Sequence, residues 1–120
     1  MLRLPRFRYY APTSVQEAAD LLAASGDATI VAGGTDLLPN MKRRQQTPST
    51  LVGLRRIPEL KVVDNGDGFT LGAGITITEL LRLTGVRVRY RGLWEAAAGI
   101  ATPHLRNMGT LGGNLCLDTR

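Results

Sequence analysis

Residues 29–38 read T-I-V-A-G-G-T-D-L-L, and this stretch decides the fold expected at the start of the chain. A short β-branched run stops at Gly33 and Gly34, and the next residues, Thr35 and Asp36, are types that cap helix N-termini. The pattern therefore predicts a strand, a glycine turn and a helix. Glycines let the backbone approach a ligand closely, and free N–H groups before a helix suit a phosphate. The segment by itself predicts a nucleotide or dinucleotide site.

This turn differs from the two common nucleotide-binding fingerprints. It contains no G-x-G-x-x-G, and no lysine follows the glycines as a phosphate-binding loop requires. A tight strand-to-helix connection without a ligand is an equal alternative for this segment alone. A second glycine-rich segment, R-N-M-G-T-L-G-G-N at residues 106–114, favours the ligand. We expect the two segments to form two walls of one site.

Three motifs carry a family resemblance. They are V-A-G-G-T-D-L-L-P at residues 31–39, L-G-A-G-I-T at 71–76 and A-T-P-H-L-R-N-M-G-T-L-G-G-N-L at 101–115. In this order they resemble the flavin subunit, or flavin domain, of the xanthine dehydrogenase family of molybdenum hydroxylases. The ending C-L-D-T-R at residues 116–120 looks most like the β subunit of 4-hydroxybenzoyl-CoA reductases. In those subunits the first cysteine ligand of an extra four-iron four-sulfur cluster directly follows D-T-R. That ligand would come after Arg120, so this sequence neither predicts nor excludes the cluster.

The resemblance implies FAD as cofactor, with the flavin supplying the redox chemistry and the protein positioning it. It implies two partner subunits, one with the molybdenum cofactor and one with two-iron two-sulfur centres, and electron relay between them and FAD. A 4-hydroxybenzoyl-CoA reductase-like complex would remove the phenolic hydroxyl of its substrate at the molybdenum subunit. No catalytic side chain and no metal ligand are expected in this chain.

The expected cofactor contacts fall into two groups. In the first group, the backbone of residues 32–35 would cradle the FAD phosphates, Ile30, Val31 and Leu37 would line the same wall, and Asp36 would shape the phosphate loop. The second group would approach from the second domain, with the Thr110 hydroxyl bonding a phosphate or the flavin chain. The first comprises Ile30, Val31, Ala32, Gly33, Gly34, Thr35, Asp36 and Leu37, and the second comprises Ile100, Gly109, Thr110, Leu111, Gly112, Gly113 and Asn114.

The fold class expected is α+β, of the FAD-binding PCMH type. Strands and helices alternate over residues 1–57, which predicts a small βαβ-type domain with parallel strands. Residues 58–120 would begin a second α+β domain, left incomplete. Since the family's flavin subunits are considerably longer than 120 residues, we expect a fragment or truncated product. A truncated assembly module that no longer holds FAD is the alternative, and a small basic nucleotide- or RNA-binding protein is a weaker one.

Local signals place the individual elements. Thr13 with Gln16, and Thr76 with Glu79, form two predicted capping boxes. The expected strands cover residues 7–10, 29–32 and 51–54, with a hairpin of 60–63 and 69–73 around the turn at 64–68. The expected helices run from residue 13 to 26, to about 44, from 76 to 83, and from 94 to 101 where Pro103 ends the last. Residues 110–115 are expected to form a turn and a strand, and Trp94 and Ile100 to lie in the core.

Charge suggests a basic surface. The sequence has 15 basic and 10 acidic residues, a net charge of +5. Residues 86–91, V-R-V-R-Y-R, alternate apolar and basic side chains, which predicts an extended segment with one basic face. A solvated surface is the preferred interpretation, with a subunit contact or a nucleic-acid backbone contact as alternatives. Interleaved aromatic stacking platforms are lacking, so no nucleic-acid partner is expected.

Other single residues are expected to be structural. His104 is the only histidine, and bonding to backbone is favoured over catalysis. Arg106 and Asn107 are expected to hold their loop, and Asp36 to cap a helix. Cys116 is the only cysteine, which excludes an internal disulfide, and is expected to be buried as a small apolar residue. No apolar run is long enough for a membrane span or a signal peptide, so a cytoplasmic location is the default expectation.

Overall fold

The computed structural model describes residues 2–117, and the chain divides into two compact units, residues 1–59 and 60–120. We call them the N-terminal and the C-terminal unit. In the described part of the chain, none of the helices combines the length and the apolar character that crossing a bilayer requires. The D-T-R part of the C-L-D-T-R ending lies outside the described residues.

The N-terminal unit is a three-stranded parallel sheet with two helices. Its elements in chain order are β1 Arg8–Tyr10, α1 Val15–Ala24, β2 Ala28–Val31, α2 Leu37–Lys42 and β3 Thr50–Gly53. The sheet order is β1-β3-β2, so β3 is central and pairs in parallel with both neighbours. This confirms the expected βαβ alternation with parallel strands. Its core includes Met41, Leu51, Val52 and Ile57, each at most 1% exposed.

The cap of α1 lies one residue later than expected. Ser14 is in extended conformation, and its side chain accepts a hydrogen bond from the Glu17 N–H at 3.1 Å. The Glu17 carboxylate in turn accepts from the Thr13 N–H at 2.9 Å. The prediction of Thr13 as the cap, with Gln16 as its partner, is therefore wrong. Gln16 does not reach back to the start of the helix, because its side-chain amide donates to the Asp20 carboxylate at 2.9 Å instead.

The C-terminal unit consists of a hairpin followed by short helices. A 3-10 helix, Pro58–Lys61, leads into it at the junction of the two units. The elements are β4 Val63–Asn65, β5 Phe69–Leu71, α3 Ile77–Leu81, α4 Thr84–Arg89, α5 Arg91–Ala98, α6 Pro103–Arg106 and α7 Leu111–Leu115. The antiparallel pairing of β4 with β5 confirms the hairpin, although its first strand begins at Val63 rather than at residue 60. Buried residues of the core cluster are Ile75, Ile77, Leu80, Val86 and Ala97, with Trp94 and Ile100 packed against it as expected.

The alternating basic segment is helical, so the prediction of an extended basic face is wrong. Residues 86–89 lie in α4, and α5 begins at Arg91. Val86 is fully buried while Val88 is 74% exposed, so the valines do not share one face. The guanidinium groups of Arg87 and Arg91 lie 5.1 and 5.7 Å from the Trp94 ring centre. The arginines thus make cation–π contacts with Trp94 in a helical arrangement, and they do not form the alternating basic face of a strand.

Three further predictions at the end of the chain are wrong. Residues 111–115 form the helix α7 rather than a strand, because the Thr110 side chain caps them. Pro103 starts α6, with Thr102 as its cap, whereas α5 already ends at Ala98. Proline suits the first position of a helix because the N–H it lacks has no partner there. Cys116 is exposed in the described part of the chain, against the expectation of burial.

Candidate functional site

The first glycine segment, residues 31–36, leaves the carboxyl end of β2 and turns into α2. Gly34 has φ of +75°, a left-handed conformation in which a side chain is strained. A Cβ at this position would also stand 3.0 Å from Cδ1 of Leu38. The Leu38 N–H donates to the Gly34 carbonyl at 3.1 Å and closes the turn. This conformation therefore requires glycine at position 34.

The backbone donors of this turn are free. Within residues 2–117, the N–H groups of Ala32, Gly33, Gly34 and Thr35 donate no hydrogen bond to another atom of the chain. Successive N–H groups of a turn form an anion-binding concavity where the backbone directs them to one side. The turn thus has the donor set that a phosphate needs, without a large side chain among its glycines.

Asp36 does not cap α2 through its side chain. It occupies the N-cap position but has helical φ and ψ of −103° and −47°, and its carboxylate accepts no capping bond. The expectation of an Asp36 cap is therefore wrong. A capping side chain needs an extended backbone to reach back to the helix N–H groups. Asp36 is exposed and adds a negative charge beside the turn.

The expected contacts of the first group lie together because they are consecutive. Ile30 is 49% exposed on β2, whereas Val31 and the glycine turn are half-buried. Leu37, the first residue of α2, is also half-buried. An apolar strand end next to free N–H groups is the arrangement that the sequence predicts for one wall of a dinucleotide site.

The second glycine segment, residues 106–114, is bound to residues 73–77 of the same unit. The Leu111 N–H donates to the Ile75 carbonyl and the Gly112 N–H to the Ala73 carbonyl, both at 2.8 Å. In return, the Ile77 N–H donates to the Gly109 carbonyl at 2.9 Å. The L-G-A-G-I-T motif therefore holds the second glycine segment in place through backbone hydrogen bonds.

Glycine at 112 is explained by packing inside the unit. A Cβ there would stand 2.7 Å from the Ala73 Cβ and 2.9 Å from the Ala73 carbonyl oxygen. Ala73 belongs to the L-G-A-G-I-T motif but was not among the cofactor contacts expected from the sequence. Its position between Gly72 and Gly74 is the signal that marks a close backbone approach.

Thr110 is a helix cap. It is 6% exposed, and its hydroxyl oxygen accepts from the Gly113 N–H at 3.0 Å. The Asn114 side-chain amide donates to the Thr110 carbonyl at 2.9 Å. The N–H groups of residues 111–114 thus all have partners inside the chain, in contrast to those of the first segment. What the second segment retains for a ligand is the exposed surface of Gly113 and Asn114, since Gly109 and Thr110 are buried.

Arg106 and Asn107 hold the loop before α7, as the sequence predicts. One guanidinium nitrogen of Arg106 donates to the carbonyls of Ala98 and Ile100 at 3.1 and 2.9 Å. The Thr78 hydroxyl donates to the Asn107 side-chain oxygen at 2.6 Å. Ala101, next to the carbonyls that Arg106 binds, has φ of +45°, a rare value for a non-glycine residue.

The carboxylate of Glu79 completes the cap of α3, directly after residues 73–76. It accepts from the Thr76 N–H at 2.6 Å, and the Thr76 hydroxyl accepts from the Glu79 N–H at 3.1 Å, which confirms this capping box. The hydrogen bond from the Thr76 backbone lowers the pKa of Glu79 most. Partial burial opposes this, while the Thr76 hydroxyl and the charges of Lys61 and Arg82 lower the pKa further.

Comparison with known proteins identifies the family. Residues 5–120 match the family described as FAD binding domain in molybdopterin dehydrogenase. The chain belongs to this family. The match confirms FAD as the family's cofactor and covers both glycine segments in one domain type.

Relatives of this family member are oxidoreductase subunits. The chain is 44% identical over 113 residues to the carbon monoxide dehydrogenase medium chain of Hydrogenophaga pseudoflava, covering 92% of this chain and 39% of that protein. It is 36% identical over 115 residues to the nicotine 6-hydroxylase medium subunit of Paenarthrobacter nicotinovorans, covering 95% and 41%. The chain thus spans about two-fifths of the length of these relatives.

Solved structures show the same fold. The structure of carbon monoxide dehydrogenase from Hydrogenophaga pseudoflava matches with a TM-score of 0.90 at 43% identity, covering 94% of this chain and 40% of that one. Quinoline 2-oxidoreductase from Pseudomonas putida 86 matches with a TM-score of 0.89 at 38% identity, with the same coverage. These matches confirm the expected mixture of a parallel sheet and helices.

Proposed function

We propose that this chain is the FAD-binding part of a molybdenum hydroxylase-type oxidoreductase, which relays electrons between FAD and iron–sulfur centres in partner subunits. The observation that carries the proposal is the turn of free N–H groups at residues 32–35, in a chain of the FAD-binding family. Bound FAD would accept and donate the electrons. The protein's own task is to hold the cofactor.

The first glycine segment would hold the diphosphate of FAD. Its N–H groups offer hydrogen bonds to phosphate oxygens, and Gly34 keeps the backbone in the left-handed turn that presents them. Ile30, Val31 and Leu37 would line the same wall with apolar surface.

The second glycine segment would contribute a surface rather than backbone donors. Its N–H groups are already hydrogen-bonded within the C-terminal unit. The Thr110 hydroxyl would therefore donate a hydrogen bond to the cofactor. Close approach of the cofactor to the backbone would be possible at the small or polar residues Gly109, Gly112, Gly113 and Asn114. Ile100 and Leu111 would supply apolar contact.

The partner subunits proposed are one with the molybdenum cofactor and one with iron–sulfur centres. The relatives are named medium chains or medium subunits, which is consistent with one component of a larger complex. A narrower likeness to 4-hydroxybenzoyl-CoA reductase rests on the C-L-D-T-R ending alone. In any such complex, the substrate would react at the molybdenum subunit, and residues of this chain would not select it.

FAD titration of the purified protein tests the proposal, with flavin fluorescence as the readout. Replacing both Gly33 and Gly34 with valine should abolish FAD binding, because side chains would fill the turn. Gly26→Val is the matched control, since a Cβ at Gly26 meets no atom within 4 Å. Circular dichroism of each variant verifies the fold.

Two results would refute the proposal in different ways. FAD binding that survives in the folded double valine variant would exclude the glycine turn as the phosphate site. A folded wild-type protein that takes up no FAD would favour the alternative, an assembly module without cofactor.

A further inference from the structure

The turn after β3 lies beside the first glycine segment. Strands β2 and β3 are parallel neighbours, and Val31 faces Gly53 at their carboxyl ends. The pairing continues one step further, because the Leu54 N–H donates to the Val31 carbonyl at 3.0 Å. Gly33 and Arg55 each stand two residues beyond the Val31–Gly53 pair. Both turns therefore leave the same edge of the sheet, side by side.

This second turn presents two arginines. The Ile57 N–H donates to the Leu54 carbonyl at 3.2 Å, and Ile57 is 1% exposed, so both ends of the turn are anchored. Its two central residues are Arg55 and Arg56, and both are exposed. Within residues 2–117, neither guanidinium forms an ion pair or a hydrogen bond with another group of the chain. The anchored turn thus carries two unpaired positive charges.

The distance between the two turns is within arginine's reach. Neighbouring strands lie about 4.8 Å apart, which is shorter than an extended arginine side chain. Ligands of open α/β sheets bind outside the carboxyl ends of the strands, where these turns lie. The charge beside the glycine segment that opposes an anion is the exposed carboxylate of Asp36. Two arginines outweigh that single negative charge.

We infer that Arg55 and Arg56 bind the diphosphate of FAD together with the free N–H groups of the first glycine segment. The guanidinium group binds phosphate oxygens through paired, charge-assisted hydrogen bonds, which neutral N–H groups cannot match. The glycine turn would fix the position of the diphosphate, and the arginines would supply the charge that backbone dipoles lack. This inference rests on the proposed function, because it takes FAD as the ligand.

The test compares FAD with riboflavin, which contains the same flavin ring but no phosphate. Intact protein freed of cofactor is titrated with each ligand at low and at high ionic strength. The variant Arg55→Gln/Arg56→Gln should bind FAD about tenfold more weakly or worse, with unchanged affinity for riboflavin. Its FAD affinity should also depend less on salt, since two phosphate contacts are lost. Arg8→Gln is the matched control, because Arg8 is exposed at the opposite, amino edge of the same sheet.

The outcomes separate this inference from the function on which it rests. Wild-type affinity for FAD in the folded double glutamine variant would overturn the role of the arginines and leave the glycine turn in place. An equal loss of FAD and riboflavin affinity would also overturn it, because the effect would not concern phosphate. A wild-type protein that binds no FAD would refute the proposed function and this inference together. Partial retention of FAD affinity in Arg55→Lys/Arg56→Lys would support charge as the cause.

Discussion

Replacing Gly112 with alanine should destabilise the C-terminal unit, although alanine is the better helix former. The added methyl group would stand 2.7 Å from the Ala73 Cβ and 2.9 Å from the Ala73 carbonyl oxygen. Ala73 cannot retreat easily, because the flanking N–H groups of Gly72 and Gly74 donate to the carbonyls of Val62 and Leu60, both at 2.7 Å. Relief of the contact therefore requires movement of hydrogen-bonded backbone.

The expected magnitude follows from three contributions. Overpacking of a well-packed contact costs about 1–3 kcal/mol. Separating the segments lengthens the Gly112 N–H to Ala73 O hydrogen bond of 2.8 Å, which costs about 1 kcal/mol. The higher helix propensity of alanine returns up to about 1 kcal/mol. The net loss in free energy of unfolding should be about 1–4 kcal/mol.

Equilibrium urea unfolding, followed by the fluorescence of Trp94, measures this loss. Trp94 is the only tryptophan, packs against the core of the same unit and donates its indole N–H to the Leu81 carbonyl at 2.9 Å. Gly92→Ala in α5 is the matched control, because a Cβ there meets no atom within 4 Å, and it should stabilise by about 0.5–1 kcal/mol. A Gly112→Ala protein as stable as the Gly92→Ala control would refute the reasoning.

Three further predictions concern other contacts. Acid should lower the stability of the wild type more than that of Glu79→Gln. Because folding lowers the pKa of Glu79, its bond to Thr76 stabilises the protein fully above the ordinary pKa of about 4.3, and this stabilisation is lost as the pH falls through the lowered pKa. Urea unfolding at a series of pH values measures the difference. Arg106→Met should cost about 1–3 kcal/mol in the same assay, since two carbonyls lose a charged donor. Gly53→Ala should cost less than Gly112→Ala, because the atom in its way is the hydroxyl end of Tyr9, which is 54% exposed, and with Tyr9→Ala in the background it should stabilise by about 0.5–1 kcal/mol.

Each of these has its own contradicting result. Parallel acid profiles for the wild type and Glu79→Gln would show that the capping carboxylate does not set the pH dependence. For Arg106, the comparison is Arg82→Met, an exposed arginine of the same unit; equal losses in both variants would exclude the carbonyl contacts as the cause. If Gly53→Ala still lowered the free energy of unfolding in the Tyr9→Ala background, the loss would come from the backbone and not from the Tyr9 ring.

The sequence predicted the features that depend on neighbouring residues. Thr76 and Glu79 stand three residues apart, so their capping box follows from local spacing. The β-branched run that ends at Gly33 and Gly34 predicted a strand, a turn and a helix in the right order. Motif order along the chain also predicted the family, because glycines and caps keep their spacing where the fold is kept.

The sequence-based predictions were wrong where the same local pattern is compatible with two kinds of secondary structure. Alternating valines and arginines at residues 86–91 fit a strand of period two, but the burial of Val86 and the stacking of Arg87 on Trp94 favour helices. Thr110 precedes glycines that suit either a turn or a helix start. The helix forms because the Thr110 hydroxyl oxygen accepts the Gly113 N–H and so caps its first turn.

The sequence by itself determined that two glycine segments exist and which family they belong to; the tertiary structure decided how each is used. In the first segment the N–H groups are free, whereas in the second the carbonyls of Ala73 and Ile75 accept them. That difference depends on residues more than 30 positions away in the chain, which no local spacing encodes. The placement of Arg55 beside Gly33 has the same origin, because only the parallel pairing of β2 with β3 brings their carboxyl ends together.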